Sequence, residues 1–448
     1  MNVRWLLIAS LSMSSAFARP PADLQDKFLA FANDHAGGAA LAWVDQDGTT
    51  FLSAGQFSGE DPRPITPDTQ FEIGSLSKVF TALLLANSER AGKASRLDSA
   101  AKYLLPKDDP EQTALAKITL LALATHTSGL GRMPANVEPY ADYSSNPEAK
   151  YDRASLVSAL RGEGPRAPSG RAMVYSNFGF ALLGEALASA WGESYEDALK
   201  TRVLTPLGLK ETRIGSIDAP ASANLAPAHV GTRSLPNLRW QALAPAGGVQ
   251  SSVRDLAVLM SVYLHKTKSP LSADADATLQ TQSDADNGGK VALGWMLIED
   301  ANQSVAWHNG ATVGSHSFMA FDRKTGRGLV ILANSPAPSE RLGFELLQVT
   351  PPSAQTAQIE HGEEFVGHYP FTPAFAIDIS ERDGGLWAQA TRQPPFGLRP
   401  SGKDRFAVVG VVAEIIFHRD SAGKVISLTL DQNGRQPTAL REKPKAAK

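Results

Sequence analysis

The sequence predicts an α+β chain: an antiparallel sheet flanked by helices, with a large helical insertion, followed by a small all-β barrel or sandwich. Three observations predict it. Strand-like segments occur near the start, at 38–44 and 49–54, and return only at 304–308, 315–321 and 328–333. Between them, to about Leu264, helical spacing and long loops dominate. Beyond Pro351-Pro352 the segments become short, strand-like and separated by turn residues. Strands at both ends of a helical middle belong to one α+β body, and 448 residues leave room for a further unit with its own core.

The first 18 residues stand apart from the fold. Arg4, the apolar run Trp5-Leu6-Leu7-Ile8-Ala9 and the small-residue ending Ala16-Phe17-Ala18 before Arg19-Pro20 form the pattern of a secretory signal peptide. The apolar part is too short to span a bilayer, so the expected mature protein starts at residue 19, is periplasmic or secreted, and has no membrane span. Hydrophobic residues make up 43% of the chain and charged ones 20%, ordinary globular usage. A net charge of −3 gives no pull toward nucleic acid or an anionic membrane. The absence of cysteine excludes disulfides and thiol catalysis. The nine histidines show no His-x-x-x-His ligand spacing, and the sequence calls for no metal and no cofactor.

In chain order, 23–36 has the spacing of an amphipathic helix with Leu24, Phe28, Leu29 and Phe31 on one side. A hairpin around Asp47-Gly48 follows. Residues 65–71 lead into a helix that is mostly apolar from Leu76 to Ala86, and hence buried on most faces. Residues 120–124, 181–190 and 255–264 are helical cores, and 340–347 is a helix after the late strands. A polar linker covers 351–363. The tail from 364 to 448 carries expected strands at 374–380, 386–391, 405–409, 411–417, 424–430 and 437–441, with turns at Asp383-Gly384, Gly423 and Asn433-Gly434. It contains no nucleophile constellation.

The chemistry concentrates at Ser75 and Lys78, three residues apart at the start of the apolar helix. Residues i and i+3 share a helix face, and a serine beside an amine is an activated nucleophile. Burial lowers the lysine pKa, which lets the amine take the serine proton, and a helix N-terminus suits a developing oxyanion. Ser-x-x-Lys also occurs at Ser99–Lys102 and Ser421–Lys424, but those segments read as solvated surface. A second cluster is Tyr175-Ser176-Asn177, ahead of another apolar helix. Residues i and i+2 of an extended chain point the same way, so phenol and amide can face one cleft; the alternative is a packed tyrosine with Asn177 as N-cap. A third is His308-Asn309-Gly310-Ala311 at a strand end, where Gly310 permits close approach and the strand edge offers a backbone to a substrate. His35-Ala36-Gly37 and His229-Val230-Gly231 share the His-x-Gly spacing. Lys324-Thr325-Gly326 reads as an exposed hairpin loop.

In this order the three clusters resemble the serine β-lactamase and penicillin-binding protein family, with the match nearest to the class C β-lactamases and their DD-peptidase and esterase relatives. Thr125-His126-Thr127-Ser128-Gly129-Leu130, Pro206-Leu207-Gly208-Leu209, Ala246-Gly247-Gly248-Val249 and Ser252-Val253-Arg254-Asp255-Leu256 also look familial. The resemblance covers roughly residues 20–350, and the last ninety or so resemble the lipocalin-like β domain appended to some members. It implies a β-lactamase/transpeptidase-like fold in which Ser75 attacks a carbonyl and Lys78 and Tyr175 share proton transfer. It further implies that the N–H groups of Ser75 and Ala311 form an oxyanion hole, Asn177 holds the substrate amide, and His308 and Gly310 line the cleft. The implied substrates are β-lactams, D-Ala-type peptides of peptidoglycan, or esters. A penicillin receptor that acylates without turnover, or a β-domain carbohydrate binder, stands as the non-enzymatic alternative. The departure is His308-Asn309 in place of the family's Lys-Thr. With an ordinary pKa of about 6.5, His308 either reads a substrate carboxylate when charged or, neutral, hydrogen-bonds Tyr175 or Ser75.

Overall fold

The computed structural model describes the chain from Pro20 to Glu442, apart from 34–36, 139–144, 165–172, 281–282, 285–289, 351–358, 360, 374, 383, 392–394, 409–412 and 433–435. The expected signal peptide and most of the expected linker therefore lie outside the described residues, as do the expected turns at Asp383 and Asn433-Gly434.

The N-terminal hairpin and the late strands share one sheet. Helix α1 (Leu24–Asn33) precedes β1 (Gly38–Asp45) and β2 (Gly48–Gly55). Much later come β3 (Ser283–Asp284), β4 (Lys290–Val291), β5 (Met296–Glu299), β6 (Ser304–Ala311), β7 (His316–Asp322) and β8 (Arg327–Ala333). The order is β2-β1-β8-β7-β6-β5-β4-β3, and each pairing is antiparallel, Leu41 lying opposite Ile331 where the early and late parts meet.

Layering follows from side-chain alternation. Ala40, Ala42 and Val44 of β1 join one hydrophobic cluster, while Ala39, Leu41 and Trp43 join another. Successive strand residues point to opposite faces, so both faces of β1 are covered, and all eight of its residues are buried. The first face packs on α4 (Val253–Tyr263), in one core that helices α2 (Ser77–Arg90) and α3 (Asn177–Trp191) complete. The second packs on α1 and α5 (Ser339–Leu347).

Several local expectations change. Asp45 pairs with Gly48, so the hairpin turn is Gln46-Asp47, one residue earlier than read. On α1, Leu24 and Phe28 are buried but Leu29 is 36% exposed; a residue step turns about 100° around a helix, which carries Leu29 away from Phe28. Strand β6 does not end at His308. It continues to Ala311, opposite His316, so the third cluster lies within a paired strand. Short strands Phe71–Glu72, Val249–Ser251 and Arg213–Ile214 form a small sheet inside the region read as helical.

The tail forms an eight-stranded antiparallel sheet in sequential order: β9 (Gly367–Thr372), β10 (Phe375–Arg382), β11 (Gly385–Ala390), β12 (Phe396–Gly402), β13 (Arg405–Val408), β14 (Ala413–Arg419), β15 (Val425–Gln432) and β16 (Thr438–Leu440). A bridge between His368 and Glu442, with Glu442 N–H donating to His368 O at 2.8 Å, nearly closes it into a barrel. Tyr369, Leu386, Leu398, Phe417 and Leu428 belong to its own core. Strands β9 and β12 were not legible. Each carries a proline, and the pairing register shifts at Pro370/Thr372 and Pro400/Gly402. Such irregularities accommodate a residue that cannot donate to the ladder. Among the described residues no helix is long and apolar enough to cross a membrane.

Candidate functional site

The site begins at a tight turn. Phe71–Glu72 pairs with Val249–Ser251, and the chain then makes a 3-10 turn, Gly74–Leu76, before α2. Ser77 Oγ donates to Gly74 O at 2.6 Å and accepts from Val249 N–H at 2.9 Å, while Ser317 Oγ donates to Ile73 O at 2.7 Å. Strand β6 lies hard against this turn. Gly74 has φ +49°, and a Cβ on it would fall 2.7 Å from both N and O of Ala311. A Cβ on Gly310 would fall 2.0 Å from Ile73 O and 2.8 Å from Ser75 N. Glycine at both positions permits this approach. Between Phe71 and Ser88, Ser75 is the only residue that is not buried.

Lys78 is fully buried one turn further on. Its Nζ lies 3.1 Å from Ser75 Oγ, 2.8 Å from Asn177 Oδ1 and 2.7 Å from Ala246 O. Burial, reinforced by the Arg132 charge, holds the amine well below the usual lysine range. Amide and backbone carbonyl oxygens only accept. A neutral amine therefore donates its two N–H groups to Asn177 and Ala246 and turns its lone pair to the Ser75 hydroxyl.

Tyr175 closes the cluster. Burial pushes its phenol up to about 12, against the nearby Ser75 hydroxyl and the Arg132 charge, which lower it. Lys78 Nζ stands 4.8 Å and Arg132 Cζ 5.2 Å from the centre of its ring. Ser176, not Asn177, caps α3: its Oγ accepts from Gly179 N–H at 2.8 Å and donates to Gly131 O at 2.7 Å. That leaves the Asn177 side chain on the first turn of α3 to meet Lys78, with Nδ2 against Met133 Sδ at 3.3 Å.

His308 is buried, its ring 6.3 Å from that of Tyr175. Its Nδ1 is 2.6 Å from Asn309 O and therefore carries the proton, while Nε2 has no protein partner. Burial pushes its pKa down to about 3. Of the two expected roles of His308, this burial favours the neutral ring, whose Nε2 bonds neither Tyr175 nor Ser75.

The remaining motifs fall elsewhere. Ser99 Oγ bonds Leu115 O at 3.2 Å and Lys102 pairs with Asp98 at 3.0 Å. Ser421 lies in the exposed Asp420–Lys424 turn. Lys324 sits between β7 and β8 with Nζ 2.6 Å from Asp300 O. His229 bonds Asn334 O and Ser234, and His35 lies outside the described residues. Sequence reasoning missed Arg132, the Ala246 carbonyl and Glu72. The buried Glu72 carboxylate accepts from Thr312 Oγ1 at 2.6 Å and Leu238 N–H at 2.5 Å, tying down the residue after Ala311. Burial raises its pKa. No spacing signal marks these groups; His126 was quoted only within a familial stretch.

A mixed α/β body with Ser-x-x-Lys entering one buried helix and Tyr-x-Asn entering another defines the serine hydrolases of the β-lactamase/transpeptidase fold. The Beta-lactamase family profile matches residues 23–349, and the chain belongs to that family. It is 27% identical over 344 residues to a beta-lactamase of Pseudomonas fluorescens, covering 67% of this chain and 89% of that protein. It is 26% identical over 356 residues to the D-alanyl-D-alanine-carboxypeptidase/endopeptidase AmpH of Escherichia coli K12, covering 74% and 90%. Among solved structures it resembles a class C beta lactamase from Rhodobacter sphaeroides, with a TM-score of 0.61, 27% identity and coverage of 73% and 99%.

Proposed function

We propose that this chain is an exported serine hydrolase, class C β-lactamase-like, that opens β-lactam or D-Ala-type amide bonds through an acyl-enzyme on Ser75. The observation that carries the reading is the buried Lys78 amine, held by two fixed acceptors with Ser75 Oγ 3.1 Å away. In this reading the Ser75 hydroxyl gives its proton to the neutral amine as Oγ bonds the substrate carbonyl carbon. The N–H groups of Ser75 and Ala311 receive the oxyanion. As the C–N bond breaks, Tyr175 donates its proton to the leaving nitrogen and is reprotonated from Lys78. Water then attacks the ester and regenerates Ser75. Asn177 orients the substrate amide. Neutral His308 offers the Nε2 lone pair, and Gly310 brings β6 beside the acyl group.

The second reading is a DD-carboxypeptidase or endopeptidase of peptidoglycan, supported by the likeness to AmpH. A carboxylesterase and a non-hydrolysing penicillin receptor share the first chemical step. The proposed organisation is a signal peptide at 1–18, a hydrolase domain at 19–350, a linker at 351–363 and a lipocalin-like β domain at 364–448, acting on a small-molecule or peptidoglycan-derived substrate. Steady-state turnover of a cephalosporin, a D-Ala-D-Ala peptide and a short-chain ester tests it. Turnover confined to the ester would overturn the amide reading, and stoichiometric Ser75 acylation without turnover would make the chain a receptor.

A further inference from the structure

His126 follows the short helix Leu120–Ala124 and occupies the left-handed region, with φ +60°, a conformation uncommon for a non-glycine residue. Three contacts run from it to the segment that carries Tyr175. Its carbonyl accepts from Val174 N–H at 2.7 Å, and its ring Nδ1 accepts from Ser176 N–H at 3.0 Å. The ring itself stacks on Tyr175 with centroids 4.3 Å apart and planes at 30°. Phe180 of α3 packs against the same imidazole at 5.0 Å. The residues on both sides of Tyr175, Val174 and Ser176, thus each donate a backbone N–H to one residue, whose ring also supports the phenol.

We propose that His126 is a positioning residue for Tyr175, setting the phenol hydroxyl against Ser75. The inference rests on the reading of Tyr175 as the group that moves the leaving-group proton. A backbone N–H can only donate, so Nδ1 must present its lone pair and the neutral ring carries its proton on Nε2. Burial holds this ring well below the usual histidine range, in keeping with that tautomer. General acid–base transfer needs the hydroxyl within hydrogen-bond reach of the atom it serves. A drift of about 1 Å can cost on the order of 10²-fold in rate. Nothing else among the described contacts bonds both flanks of Tyr175.

The test is a double-mutant cycle on the full chain, read as the rate of Ser75 acylation by a chromogenic cephalosporin. H126F keeps a stacking ring and removes the acceptor. H126N retains an acceptor near the Nδ1 position and tolerates positive φ. H126F should lower the acylation rate roughly 10- to 100-fold with little change in KM, and H126N should recover most of it. In the Y175F background H126F should cost less than about 3-fold, because its effect runs through the phenol. Near-wild-type acylation by H126F, or the same fold loss in both backgrounds, would overturn the proposal. If Y175F alone acylates at full rate, the reading of Tyr175 fails first, and a slow H126F then marks a plain folding role. Should H126F not fold, ¹⁵N-histidine spectra of the unmodified protein decide. A neutral Nε2–H ring for His126 supports the proposal, and an Nδ1–H or charged ring at neutral pH overturns it.

Discussion

The Lys78 amine and the Ser75 hydroxyl are 3.1 Å apart, and every other polar contact of that amine is to an oxygen that can only accept. An ammonium would use all three protons as a donor and leave Ser75 no base. A neutral amine leaves one lone pair, and geometry aims it at the serine. Lys78→Arg should therefore abolish acylation, since a guanidinium stays charged and does not fit a fully enclosed space. Ser75→Ala should do the same, with intact-mass analysis locating the adduct of a slow β-lactam on the Ser75 peptide of the unmodified chain. An adduct on Ser99 or Ser421 would refute the assignment.

The same pair fixes the pH profile. The base form of Lys78 is lost as pH falls through its depressed pKa, so kcat/KM should show an acid limb and reach its plateau below the ordinary lysine range. Tyr175, held at about 12, stays protonated well beyond pH 10 and should contribute no alkaline limb before then. A decline between pH 8 and 10 in a protein that remains folded would contradict the Tyr175 role.

Gly310→Ala probes the contact between β6 and the Ser75 turn. The added methyl would meet Ile73 O at 2.0 Å, and that atom is backbone, with no rotamer to yield. The strand must move outward, away from Ser75 N. We expect acylation to fall by roughly 10² or more, with far-UV circular dichroism unchanged. A G310A variant at near-wild-type rate would show that the spacing of these segments does not matter to the chemistry.

Much of this was legible because each motif sits where a local pattern changes. Ser75 opens the apolar run that becomes α2, and Tyr175 precedes the run that becomes α3. The strands of the sheet were read within two residues wherever they were long and apolar, as in β7 and β8. The two-residue strands β3 and β4 carry too few side chains for a period to appear, and β9 and β12 hide behind their prolines. What was illegible in the site is tertiary. The Ala246 carbonyl is a backbone atom with no side-chain signature. Arg132 and His126 reach Tyr175 from a loop some 45 residues upstream in sequence. The pKa of His308 is set by burial between β6 and its surroundings, which no local motif reports.

That burial yields a stability prediction. The His308 pKa is about 6.5 in the unfolded chain and about 3 when folded. Between those values the unfolded state binds the extra proton, so stability rises with pH there. The contribution is complete above about pH 6.5 and is lost progressively as pH falls toward 3, by up to about 1.4 kcal/mol per unit. Urea midpoints at pH 4.5, 5.5 and 7 should rise in that order, and H308N should flatten part of the slope. Because the ring stays neutral from pH 5 to 8, KM for a penicillin and for an uncharged ester should run in parallel over that window. A penicillin KM that climbs alone near pH 6.5 would show a charged His308.

The tail gives the last prediction. All the groups of the proposed chemistry lie between Glu72 and Ser317, whereas the barrel core draws only on residues from Ile359 onward. Ile359 N–H already donates to Gly384 O at 3.0 Å, and Arg419 pairs with Glu364 at 2.6 Å, so the strand-free entry to the barrel is bonded to the barrel itself. A chain ending at Thr350 therefore cuts through none of these contacts and leaves α5, which covers the main sheet, intact. It should fold, and it should acylate Ser75 with a slow β-lactam at a rate within a few-fold of the full chain. Turnover of larger peptidoglycan fragments is the quantity expected to change if the barrel shapes the mouth of the cleft. A soluble, folded truncation that fails to acylate would show that the tail contributes to the chemistry directly.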